Sequence, residues 1–165
     1  MKIVSVITAR GGSKGIPRKN MLDLNGNSLI YYSIRASLES NVDDTWVSTD
    51  DKEIKGISNK YGAKVIDRPE HLCNDVVMPD EALLHFANEE HFDILVFIQP
   101  TSPLIKSKYI NEGIEMIKSG KYDSIFTATK EHWLPRWNKN VEPVDWNIHN
   151  RPRRQDKSEL YVENG

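Results

Sequence analysis

Residues 3–20 read IVSVITARGGSKGIPRKN, and the fold turns on how this stretch divides. IVSVIT, residues 3–8, is short, β-branched and almost wholly apolar, which predicts a strand covered on both faces within a parallel sheet. ARGGSKGIPRKN, residues 9–20, then holds four cations and three glycines. In an open parallel sheet, ligands bind beyond the carboxyl ends of the strands, where loops expose unpaired backbone N–H groups. Gly11, Gly12 and Gly15 would let the backbone approach such a ligand without a Cβ in the way, and Ser13 adds a hydroxyl. Arg10, Lys14, Arg18 and Lys19 supply charge, and cations this close repel one another unless an anion sits among them. A nucleoside triphosphate is such an anion, each charge-assisted hydrogen bond to it contributing about 1.5–3 kcal/mol.

The loop is not GxxxxGK[ST], and GGSKG has the wrong spacing for GxGxxG, so ATPase and dehydrogenase readings lose their usual support. The residues alone therefore imply a nucleotide-binding α/β domain that acts on a phosphate.

Working outward, Asn25-Gly26 predicts a tight turn, and Ser28 stands where it can cap a helix running to about Ser40, with Leu29, Ile30, Ile34 and Leu38 along one side. TWVST, residues 45–49, reads as a second strand. Asp50 and Asp51 follow at the start of a helix with Ile54, Ile57 and Ser58 on one face, closed by Tyr61-Gly62 before the strand AKVI. The Pro-containing loop RPEHLCNDVVMP leads to the helix EALLHFANEE. FDILVFIQ, the most apolar strand, is broken by PTSP. KYINEGIEMIKSG is a helix ended by Gly120, and YDSIFTAT is predicted to be a further strand. Alternating strands and helices predict a parallel sheet with crossover helices. Beyond Lys130 the pattern fails: HWLPRWNKNVEPVDWN holds three of the four tryptophans and reads as a satellite core or subunit contact.

The chain has 165 residues, 38 % of them apolar, and a formal net charge of −2. That suits one domain with a real core and gives no global field for nucleic acid. Aromatic residues do not interleave the basic loop, so base stacking has no platform there. Cys73 stands alone, which excludes an internal disulfide and fits a reducing, cytoplasmic setting. No apolar run reaches the length of a membrane helix, and no signal-peptide pattern opens the chain.

Five stretches together, ARGGSKGIPRKN (9–20), VSTDD (47–51), RPEHLCND (68–75), QPTSPL (99–104) and RRQD with YVENG, resemble the acylneuraminate cytidylyltransferases, the CMP-sialic acid synthetase family, in that family's order. The resemblance implies a Rossmann-like three-layer sandwich with a mostly parallel sheet, of nucleotide-diphospho-sugar transferase type. It also implies one domain over 1–165, truncated at its carboxyl end, with a small irregular dimerisation or lid segment at 131–160.

Carried over by motif, Arg10, Gly12, Ser13, Lys14 and Asn20 would hold the triphosphate of CTP, with Lys19 and Arg10 as the catalytic cations and Lys19 at the α-phosphoryl group. Arg68 would read the cytosine edge and Asp75 would close that loop. Gln99, Thr101, Ser102, Arg154 and Asn164 would hold the acceptor, a nine-carbon acidic sugar: sialic, legionaminic or pseudaminic acid. The implied reaction is transfer of CMP to the anomeric hydroxyl with release of pyrophosphate, by a cytoplasmic homodimer using Mg²⁺. The family's metal-binding aspartates would lie beyond Gly165. A nucleotidyltransferase using another base, and a noncatalytic nucleotide-binding module, are the alternatives. No histidine is nominated as a base, and helix capping is the expected role of Asp50 and Asp51.

Overall fold

The computed structural model describes every residue except Asp75, His132, Lys157, Ser158, Asn164 and Gly165, together with the side chain of Arg154. Its residues fall into two units, Met1–Ile125 and Phe126–Gly165. In the first, the elements run β1 (Ile3–Thr8), β2 (Asp23–Leu24), β3 (Asn27–Ser28), α1 (Leu29–Leu38), β4 (Asp44–Thr49), α2 (Lys52–Lys60), β5 (Lys64–Asp67), α3 (Pro79–Glu89), β6 (Ile94–Ile98) and α4 (Ser107–Lys118).

Four of these strands form one sheet in the order β5-β4-β1-β6, every pairing parallel. The two-residue period of a strand sends alternate β1 side chains to opposite faces. Ile3 and Ile7 pack with Ile30 and Ile34 of α1, Ile54 of α2 and Ile110 and Ile114 of α4. Val4 and Val6 turn the other way, onto Phe86 of α3 with Trp46, Leu83 and Phe92. Helices thus cover both faces of the sheet, which is the expected three-layer α/β arrangement and explains why β1 carries so little polarity. Of its two polar residues, Thr8 ends the strand and Ser5 is buried facing α1, where Ser5, Ser37 and Thr45 join their hydroxyls in a chain. A buried hydroxyl needs such a partner.

Local punctuation follows the sequence closely. Asn25 and Gly26 both take positive φ, 54° and 85°, as a two-residue hairpin turn between β2 and β3 requires. Gly62 and Gly120 take φ of 95° and 69° and stand just past α2 and α4. Asp51 caps α2, its Oδ1 accepting from the N–H groups of Glu53 and Ile54.

Two local expectations need correction. Ser28 does precede α1, but its hydroxyl makes no cap bond and instead donates to the Tyr61 hydroxyl at 3.4 Å. YDSIFTAT does not extend the parallel sheet: regular strand begins only at Ala128, in the second unit. Its apolar residues are used otherwise. Ile125 packs so closely on Gly113 of α4 that a Cβ there would lie 3.2 Å from its Cδ1, whereas Tyr122 and Phe126 are exposed.

The second unit is antiparallel. β7 (Ala128–Glu131) pairs with β10 (Leu160–Glu163), and β8 (Arg136–Trp137) pairs with β9 (Pro143–Val144). Trp137 and Trp146 meet edge to face at 4.9 Å, the Trp146 indole N–H donates to the Arg136 carbonyl at 3.0 Å, and the Arg151 guanidinium lies over the Trp146 ring. Two of the tryptophans thus pack on each other, although Trp137 remains exposed. Among the described residues, no helix is long and apolar enough to cross a membrane.

Candidate active site

The sheet order places β1 between β4, which follows it in sequence, and β6, which comes much later. The connections leave in opposite directions on the two sides of β1, and such a switch point opens a crevice at the carboxyl ends of the strands. Ile7 is in register with Ile98, so the segments Thr8–Arg10 and Gln99–Thr101 leave the sheet side by side. Between them lies a cavity of about 460 Å³, within the range of about 300–1,000 Å³ typical of small-molecule sites.

Arg10, Ser13, Lys14, Lys19 and Asn20 line this cavity from one side, and Gln99 and Thr101 from the other. Seven of the residues nominated from sequence are therefore brought to one place. Gly12, Arg68 and Ser102 do not appear among the described lining residues. Asp75 and Asn164 lie outside the described residues, as does the Arg154 side chain.

The cationic loop is held from beneath. The Asn20 amide, 5 % exposed, donates to the Arg10 carbonyl at 3.2 Å. Gly11 N–H donates to Asp50 Oδ1 at 2.9 Å, and Ser13 N–H to the Gly11 carbonyl at 3.1 Å. Arg10 also reaches the Cys73 carbonyl with Nη1 at 3.4 Å. Arg18 takes φ 54° at the start of the short 3-10 turn Lys19–Met21 and turns its guanidinium to Asp51 and Glu53 at the head of α2. It is thus paired within the protein, and the charge that faces the cavity comes from Arg10, Lys14 and Lys19.

Glycine at 11 is required by the fold itself. An added Cβ would stand 2.7 Å from Asp51 Oδ2 and 2.9 Å from Asp51 Cβ. Gly12 and Gly15 have open space where a Cβ would go, so the protein's own atoms impose no such requirement there. The two aspartates after β4 also divide their work in a way the spacing does not reveal: Asp51 caps the helix as expected, and Asp50 instead reaches back to the loop.

Arg68 is buried at the end of β5. Its Nε donates to Ser48 Oγ at 3.1 Å and its Nη2 to the Ser48 carbonyl at 2.8 Å, which commits two of its three nitrogens to the end of β4. Burial is the main influence lowering its pKa, opposed by Cys73 and Asp50 and assisted by Arg10. Gln99 is held by its backbone, whose carbonyl accepts from Ser33 Oγ at 3.3 Å, and its Oε1 accepts from the Thr101 hydroxyl at 3.4 Å.

Thr8, Ile16, Pro79 and Phe97 also line the cavity and were not singled out from sequence. Strand periodicity carries the signal for two of them: Thr8 precedes Arg10 by two positions, and Phe97 precedes Gln99 by two. No carboxylate appears among the described lining residues, and no group of three or more His, Cys, Asp or Glu suited to a metal occurs among the described residues. Mg²⁺ favours carboxylate and phosphate oxygens. The donor set present is cationic, hydroxylic and amidic, so it suits phosphate oxygens and does not fit a resident Mg²⁺.

Comparison with known proteins identifies the family. Residues 4–165 match the family described as "Cytidylyltransferase". N-acylneuraminate cytidylyltransferase A of Danio rerio is 39 % identical over 99 % of this chain and 40 % of its own length. The pseudaminic acid cytidylyltransferase of Campylobacter jejuni is 32 % identical over 100 % of this chain and 76 % of its own length. The chain spans about two fifths of the length of the first curated relatives it matches. Among solved structures, a CMP:2-keto-3-deoxy-manno-octonic acid synthetase complexed with CTP superposes with a TM-score of 0.72 at 22 % identity, covering 100 % of this chain and 72 % of its own, which bears on the fold. A parallel sheet that ends in a basic glycine loop, matched along nearly its whole length by one family, means that the chain belongs to the cytidylyltransferases.

Proposed function

We propose that the chain binds CTP in the cavity between β1 and β6 and serves transfer of CMP to the anomeric hydroxyl of a nine-carbon acidic sugar, with release of pyrophosphate. The observation that carries this reading is the convergence of Arg10, Ser13, Lys14 and Lys19 with Gln99 and Thr101 on one cavity. The first four suit a triphosphate, and the last two suit the hydroxyls of an acceptor.

In the proposed step the sugar hydroxyl attacks the α-phosphorus in line, its proton passing to the departing pyrophosphate or to water, and the bond from that phosphorus to the bridging oxygen of pyrophosphate breaks. Lys19, with Arg10, stabilises the charge that develops on the transferring group, and the hydrogen bonds of Asn20 and Asp50 to the loop backbone hold the loop that carries these cations before the reaction begins. Sialic or pseudaminic acid as acceptor is supported by the names of the relatives. A cytoplasmic location and a homodimer joined through the tryptophan-containing second unit belong to the same proposal; Mg²⁺ would enter only as a companion of the CTP phosphates, because the described lining does not fit a resident ion, and no step above is routed through it.

One observation favours a second reading, a nucleotide-binding module that does not turn over: the described lining offers no carboxylate. Pyrophosphate release measured with the four nucleoside triphosphates against sialic, legionaminic and pseudaminic acids tests donor and acceptor together. Release with CTP alone is expected, and release with GTP but not CTP would refute the cytosine assignment. Calorimetry with CTP, with and without Mg²⁺, separates the readings further: CTP binding with no pyrophosphate release from any acceptor favours the module.

A further inference from the structure

We propose that Asp50 is a positioning residue for the nucleotide loop, its carboxylate acting with the Asn20 amide to fix the plane of the Arg10–Gly11 peptide group. The two contacts fall on one rigid unit. The carbonyl of that peptide belongs to Arg10 and accepts from Asn20 Nδ2 at 3.2 Å, while its N–H belongs to Gly11 and donates to Asp50 Oδ1 at 2.9 Å. A trans peptide is planar, so holding its oxygen and its hydrogen from opposite sides leaves it no freedom to flip.

The site of the clamp matters. Thr8 is paired with Ser48 in the ladder, and Ala9 N–H extends that ladder by donating to the Ser48 carbonyl at 2.9 Å. The Arg10–Gly11 peptide is therefore the second one past the sheet's own hydrogen bonding, with only the Ala9–Arg10 peptide between them. Its orientation sets the direction in which the chain departs toward Ser13 and Lys14, both of which line the cavity.

Gly11 seats against Asp51 with no room for a side chain, and Asp51 is itself held by the head of α2. The peptide is thus supported by a rigid strand-to-helix corner. Asp50 also stands close to Arg68 and Cys73, with Arg10 acting on the same pair. Two explanations of its role then differ in what they require. Positioning requires the acceptor oxygen at Oδ1, whereas charge balance among the arginines requires the negative charge.

Asp50→Asn keeps the oxygen and loses the charge, and Asp50→Ala loses both. This inference rests on the nucleotide reading, so two measurements are made on the same variants. Amide hydrogen exchange over residues 9–20, read without nucleotide, should speed up about tenfold in D50A and stay within about twofold of wild type in D50N, a tenfold change corresponding to about 1.4 kcal/mol. The Kd for CTP should rise about tenfold in D50A and stay within about threefold in D50N. A general loss of stability would lower the melting temperature of D50A without altering the affinity of its folded fraction, so the Kd separates positioning from bulk structure. Wild-type exchange and affinity in D50A, or equal losses in D50A and D50N, would overturn the inference. Failure of the wild-type chain to bind CTP would refute the nucleotide reading, and the exchange rates would still decide whether Asp50 clamps the peptide.

Discussion

Gly11→Ala is the substitution whose consequence the structure states most directly. The new methyl would stand 2.7 Å from Asp51 Oδ2, 2.9 Å from Asp51 Cβ and 3.2 Å from Asp51 Cγ, so turning the Asp51 side chain cannot clear it. Asp51 is not at liberty to move as a whole either, because its Oδ1 accepts from Glu53 and Ile54 N–H at the start of α2. Losing that cap costs about 0.5–2 kcal/mol, and relieving an overpacked contact through backbone shifts costs about 1–3 kcal/mol. Together these give a destabilisation of about 1.5–5 kcal/mol, a large part of the roughly 5–15 kcal/mol that holds a domain folded.

Urea denaturation followed by circular dichroism reads this loss directly. Gly12→Ala, which meets nothing within 4 Å, is the matched control and should stay within about 0.5 kcal/mol of wild type. Asp51→Gly removes the obstructing atoms while costing the helix start only a few tenths of a kcal/mol. The double variant Gly11→Ala/Asp51→Gly should therefore lose less than the sum of the two single losses. A Gly11→Ala protein as stable as the Gly12→Ala control, or strict additivity in the double variant, would refute the reasoning.

Lys19→Ala should slow pyrophosphate release by about 100-fold while raising the Kd for CTP less than about fivefold, since its proposed partner gains charge only during transfer; equal losses in both would count against that role. Burial, followed by the nearby Asp50 carboxylate, raises the Cys73 thiol pKa, with Arg68 opposing. Because the thiolate is the reactive form, alkylation of native protein by iodoacetamide should have its pH midpoint above that of the urea-unfolded chain. The thiol's contribution to stability is correspondingly intact below the unfolded pKa and is lost as pH rises through the higher folded value. A native midpoint at or below the unfolded one would contradict this, and a single cysteine makes the label unambiguous.

The parallel sheet is legible in the sequence chiefly through β1 and β6, which are apolar almost throughout as IVSVIT and ILVFI, whereas β4 and β5, DTWVST and KVID, carry a weaker signal. The position of the cavity follows from the same pattern, since a cationic glycine loop after an inner strand has one place to stand. What escapes one-dimensional reading is the partner chosen across the fold. Asp50 and Asp51 both sit where a helix begins, and only the packing of β1 beside β4 directs Asp50 to Gly11, thirty-nine positions away. Arg18 reads as one more phosphate ligand until α2 brings Asp51 and Glu53 beneath it. YDSIFTAT has the composition of a strand, but the Ile125 side chain finds its burial against Gly113 of α4 without entering the sheet.

The inner place of β1 also governs the order in which the molecule can assemble on a ribosome. This strand emerges before either of its neighbours: β4 begins at Asp44, and β6 ends at Ile98. At about 5–20 residues per second, the oily hexapeptide waits some seconds to tens of seconds before both flanks exist. During that interval both of its edges stay unpaired, a state prone to association, so the placement that buries the strand in the finished sheet also delays its closure during synthesis.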